Sequence, residues 1–118
     1  MTDTVIIEKK AIFDPDCLKR KLGSADSVRE ILNLFLAIIP VRIDELKKAF
    51  EAEDRTKLKS LAHSIKGNAL NVGGLQLTQV AYELEQNSLT GEKKLLETMI
   101  QNLVTNLLLF GDEIKKFV

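Results

Sequence analysis

Tryptophan is absent, cysteine and histidine occur once each, and aromatic residues make up only 5% of the 118-residue chain. The lone cysteine, Cys17, can form no intrachain disulfide and leaves a thiolate zinc cluster without its ligands, so a reducing, cytoplasmic setting is expected. Net charge is missing too. Lys and Arg number 17 and so do Asp and Glu, which removes both the basic excess of a nucleic-acid binder and an acidic tail. The longest apolar run, Ile31 to Val41, is interrupted by Asn33 and Pro40 and is shorter than the roughly 18 residues that cross a bilayer. No membrane insertion is expected, and the alternating first ten residues, ending in Lys9 and Lys10, do not read as a signal peptide. With 45% apolar and 29% charged residues, the chain is too hydrophobic for disorder and has the size of one domain.

Strand signals are scarce, since outside Val5 to Ile7 no β-branched run alternates with period two. Helix signals cover the rest. A short helix is expected from Asp14, with Pro15 in its first turn and Gly23 as its stop. A long one follows, starting at Ser24 or at Ser27, where Glu30 completes a capping-box pattern. It carries Val28, Ile31, Leu32, Phe35, Ile39, Ile43, Leu46 and Phe50 at helical steps, and Pro40 within it is expected to kink or split it. A third helix from Asp54 to the Gly73-Gly74 pair aligns Leu58, Leu61, Ala62, Ile65, Ala69 and Val72. A fourth, Leu75 to Ser88, aligns Leu77, Val80, Ala81 and Leu84; a fifth, Glu92 to Phe117, aligns Leu96, Met99, Ile100, Leu103, Leu107, Phe110 and Ile114. Four apolar stripes joined by short loops predict an all-α fold, an antiparallel four-helix bundle with a short extra N-terminal helix. Residues 1–11 read as a lead or linker and 12–118 as the domain.

His63 is the side chain whose type titrates nearest neutral pH. It lies roughly 150° from the centre of its helix's apolar stripe and so faces solvent. Lys59 and Lys66 share that face, and Gly67, one turn beyond, leaves bare backbone. Glycine inside a helix costs roughly 0.5 to 1 kcal/mol against alanine, so its presence calls for a reason, and close approach of a partner is one. Taken singly, these residues have ordinary readings: a surface histidine, a solvated lysine, a glycine relieving helix contact. Gly73-Gly74 reads as a C-cap and turn, and Cys17 as a small packed residue of the first helix.

The string L-A-H-S-I-K-G-N-A-L-N-V-G-G, Leu61 to Gly74, resembles the signature of the histidine-containing phosphotransfer (HPt) domains of two-component phosphorelays. His63, Lys66, Gly67, Val72 and Gly73 fall on its pattern, and the resemblance extends over residues 12–116, through Phe13-Asp14-Pro15-Asp16, the proline-bearing second helix and Leu84-Glu85. It departs at Asn68 and Leu70, which stand where the family usually has small residues. The resemblance implies that His63 takes a phosphoryl group from an aspartyl phosphate on a response-regulator receiver domain and passes it to another, with Lys66 neutralising phosphoryl oxygens. It further implies no cofactor or metal in this chain, Mg2+ on the partner receiver, and a hybrid sensor kinase among the partners. A monomer is expected. Whether the chain stands free or ends such a kinase is open at this level.

The second helix also carries Ile31, Leu34, Ile38 and Val41 as an apolar strip beside its core stripe. Either the first helix covers this strip or it stays open, with Lys59 and Leu70, as a docking surface for receivers. No nucleotide loop, metal-ligand spacing or Ser-His-Asp arrangement is present in the sequence, which sets aside an ATP-using kinase. An enzyme using His63 as general base would need a second catalytic group, and none shares its helix face. The remaining rival is a helical bundle that docks receivers without being phosphorylated.

Overall fold

A computed structural model describes residues 15–118, with side chains from Leu18 onward. The expected helix start at Asp14, the packing of Cys17 and the lead over residues 1–11 lie outside what is described. Five helices follow one another: α1 (Pro15–Leu22), α2 (Ala25–Glu51), α3 (Arg55–Asn71), α4 (Leu75–Asn87) and α5 (Lys93–Lys115). Helix α2 packs on α3, α3 on α4, α4 on α5 and α5 back on α2, while α1 lies on α2. With loops this short the four long helices alternate in direction, giving the antiparallel bundle that the periodicity implies.

The core is the set of stripes read from the sequence. Leu32, Leu46, Leu58, Ile65, Leu84, Leu103, Leu107 and Ile114 are fully buried, and the ring of Phe110 meets that of Phe35 edge-on, 5.2 Å between centroids at 78°. Ile31, Ile43, Phe50 and Met99 are only partly buried against this core. They sit at the margins of their stripes, where a neighbouring helix covers one side alone.

One expectation is corrected and one alternative is resolved. The expected split at Pro40 does not occur: α2 is one helix through the proline, which is exposed, and the flanking turns are anchored by buried Phe35, Ile39 and Leu46. The helix is also capped by Ser24 and not Ser27: the Ser24 hydroxyl accepts from the Ser27 N–H at 3.1 Å, which places Ser27 inside the first turn and dissolves the capping box with Glu30.

Helix α3 ends as expected. Gly73 takes a left-handed φ of +74°, and the N–H groups of Gly73 and Gly74 donate to the carbonyls of Leu70 and Ala69. Gly74 is needed for a different reason, because a Cβ there would stand 3.0 and 3.1 Å from ring atoms of the buried Phe110. At Gly67 a Cβ would meet nothing within 4 Å. The two glycines therefore respond oppositely to alanine. Gly74→Ala is expected to lose about 1 to 2 kcal/mol by overpacking, and Gly67→Ala to gain roughly 0.5 to 1 kcal/mol, both read from urea unfolding midpoints.

Candidate functional site

The face that α3 turns away from the core carries Lys59, His63, Gly67 and Leu70, all exposed. His63 stands out most, with its side chain 68% exposed. Lys66 does not behave as a solvated charge. Its side chain is only 24% exposed, because it bends toward α4 and places its ammonium 2.9 Å from Glu85 Oε1.

Glu85 organises the site. Its carboxylate, 11% exposed, lies 2.8 Å from His63 Nδ1 through Oε2 and meets Lys66 through Oε1. The Lys66 ammonium is the main influence holding this carboxyl below its ordinary range; partial burial opposes it, and the contact with His63 adds to the lowering. An ionised carboxylate can only accept, so Nδ1 carries the hydrogen and donates it. In the neutral ring the lone pair then belongs to Nε2, on the exposed side. The resulting group is an oriented nitrogen nucleophile with a fixed tautomer, a carboxylate behind it and an ammonium beside it.

The far end of α4 is pinned as well. The Arg55 guanidinium, at the start of α3, donates to the carbonyls of Ser88 at 3.2 Å and Gly91 at 2.6 Å, while the buried Ser88 hydroxyl donates to the Leu84 carbonyl. These bonds satisfy carbonyls that a helix end would otherwise leave without partners, one turn from Glu85.

A groove of about 200 Å³ opens between α2 and α3, lined by Ile31, Leu34, Phe35, Ile38, Asn68, Asn71 and Val72. Leu34 and Val41 are exposed, and Ile31 and Ile38 half-buried, so α1 does not cover this strip. Asn68 and Asn71 follow His63 by five and eight residues, roughly 8 to 12 Å along the helix axis. A larger groove, about 500 Å³ between α2 and α5, lies across the bundle from His63. Among the described residues no cluster of three or more His, Cys, Asp or Glu could hold a metal ion, and no helix is long and apolar enough to cross a membrane.

A family model for the Hpt domain matches residues 30–109, a span that holds His63, Lys66, Gly67 and Glu85. The chain belongs to the Hpt domain family. Two solved structures share the Hpt fold with it. Histidine-containing phosphotransfer protein B (HptB) from Pseudomonas aeruginosa superposes with a TM-score of 0.80 at 24% identity, over 90% of this chain and 92% of that one. The HPT domain of an Hpt sensor hybrid histidine kinase from Shewanella gives 0.76 at 18% identity, over 88% and 91%. No curated protein matches.

Spacing along α3 brings His63, Lys66 and Gly67 together, and the structure places them so. Glu85 was legible only as part of the family resemblance, since no sequence spacing relates residues 63 and 85 on different helices. The second group that a lone histidine lacks on its own helix thus comes from α4.

Because the folded Glu85 carboxyl titrates below its ordinary range, its contribution to stability is fully present above that range and disappears as pH falls through the lowered folded value. The stability gap between the parent and Glu85→Gln is therefore expected to be present at neutral pH and to close below about 4, measured by urea unfolding across that range. A gap that persists undiminished in stronger acid would contradict the charge assignment.

Proposed function

We propose that His63 is the phospho-accepting residue of this Hpt domain, relaying a phosphoryl group between receiver-domain aspartates. Histidine phosphotransfer in a phosphorelay is the activity of the family. The observation that carries the assignment to His63 is its geometry: Nδ1 committed to Glu85 and Nε2 free on an open surface.

In the step, the Nε2 lone pair attacks the phosphorus of the receiver's aspartyl phosphate. The N–P bond forms, the acyl P–O bond breaks, and the aspartate leaves as a carboxylate. Positive charge then develops on the ring, whose Nδ1–H faces the Glu85 carboxylate, so the charge is met as it forms. Lys66 supplies a cation for the phosphoryl oxygens. The partner supplies the aspartate and Mg2+, because phosphoryl transfer needs charge stabilisation beyond one ammonium. The chain acts as a relay intermediate, not as an autonomous enzyme, and response-regulator receivers and a hybrid sensor kinase are its partners. Gly67 leaves room for their approach, and the exposed Leu34, Val41 and Leu70, with half-buried Ile38 and the polar Lys59, form the docking surface.

Incubation with a phosphorylated receiver followed by intact mass tests the assignment and separates it from docking without transfer. His63→Gln is expected to fold like the parent and gain no phosphoryl mass, and Gly67→Gln to stay folded but transfer slowly. A His63→Gln protein that still takes up acid-labile phosphate would refute it.

The docking surface has its own test. Leu34 and Val41 are exposed, so Leu34→Ser and Val41→Ser should change folding stability by no more than about 0.5 kcal/mol, while an anchoring contact loses more than about 1 kcal/mol of receiver affinity. Titration calorimetry with a receiver domain reads this directly, and unchanged affinity in both variants would remove α2 from the interface.

A further inference from the structure

Lys66 has a second neighbour. Its ammonium lies over the ring of Tyr82, 5.4 Å from the centroid, within the roughly 6 Å over which a cation is attracted to an aromatic face. Tyr82 and Glu85 are three residues apart on α4 and so share one flank of it. The ammonium is bracketed by a carboxylate from one and a π face from the other. Tyr82 is exposed and takes no part in the α4 core stripe of Leu77, Val80, Ala81 and Leu84, so packing does not account for its placement. The carboxylate holds the ammonium from one side only, 2.9 Å from Oε1. Four rotatable bonds in the stem would otherwise let the ammonium wander.

We propose that Tyr82 is a positioning residue for phosphotransfer, its ring holding the Lys66 ammonium beside His63 before the phosphoryl group arrives. This rests on His63 being the acceptor. A cation already in place does not have to be ordered during the reaction, which is where a preorganised charge gains over a mobile one.

The test compares the full-length parent with Tyr82→Phe, which keeps the ring, and Tyr82→Ala, which removes it. Because Tyr82 is exposed, both variants are expected to fold, checked by thermal melting. In proton–carbon NMR the Lys66 Cε protons should show a ring-current shift in the parent and Tyr82→Phe that is lost in Tyr82→Ala. In transfer from the source organism's receiver domains, charged with acetyl phosphate, Tyr82→Phe should match the parent. Tyr82→Ala should be about two- to fivefold slower at saturating receiver, the size of an exposed cation–π contact, with an unchanged half-saturating concentration. In a Lys66→Ala background, Tyr82→Ala should slow transfer no further. The proposal is overturned by a parent-like maximal rate in Tyr82→Ala, by a raised half-saturating concentration alone, by a Tyr82→Phe as slow as Tyr82→Ala, or by a missing ring-current shift. A parent that takes up no phosphoryl group overturns the His63 assignment and this role together, whereas a labelled parent with a parent-like Tyr82→Ala overturns this role only.

Discussion

A carboxylate held between two helices must find positive or hydrogen-donating partners, and the Hpt site is organised around how Glu85 finds them. Lys66 and His63 approach it from α3, one at each oxygen. Leaving Glu85 ionised and unpaired at this depth would cost free energy, so the pairing holds α3 and α4 in one register. The same pairing selects the histidine tautomer. A hydrogen bond that serves structure on its Nδ1 side thereby sets the chemistry on its Nε2 side.

The bundle supplies the rigidity that this arrangement needs. Each long helix is held by two neighbours, and α4 is fixed again at its carboxyl end by Arg55. A nucleophile on such a frame needs neither lid nor cleft, provided that the partner encloses the reacting group. The exposure of His63 and the bare backbone at Gly67 fit that division of labour. A Cβ at Gly67 would meet nothing within 4 Å, while Gly74 is required by the ring of Phe110. Two glycines seven residues apart thus stand in different surroundings, one open and one packed.

The apolar strip of α2 shows what a ring of four helices leaves over. Each helix can bury one stripe between its two neighbours. The strip beside it is half-covered at Ile31 and Ile38 and uncovered at Leu34 and Val41. Next to α3 this surplus shapes the groove that Asn68 and Asn71 border, and Asn68 is one of the two positions, with Leu70, where the sequence departs from the small residues its family resemblance implies.

The amino-acid sequence by itself determined the fold class, four of the long helices nearly to their ends, almost every core residue, and the face on which His63, Lys66 and Gly67 meet. Those features depend on periodicity within one helix, and periodicity is local. The split expected at Pro40 is absent, since α2 continues as one helix with the proline on its exposed side, and the choice between Ser24 and Ser27 as cap stayed open because two serines three residues apart both fit the pattern. Tertiary structure alone decided that Lys66 turns inward, that Glu85 and Tyr82 of α4 bracket its ammonium, and that Nδ1 of His63 is the committed nitrogen. These contacts join residues 16 to 22 positions apart on antiparallel helices, so they arise only when the turn at Gly73-Gly74 sets how α4 slides and rotates against α3.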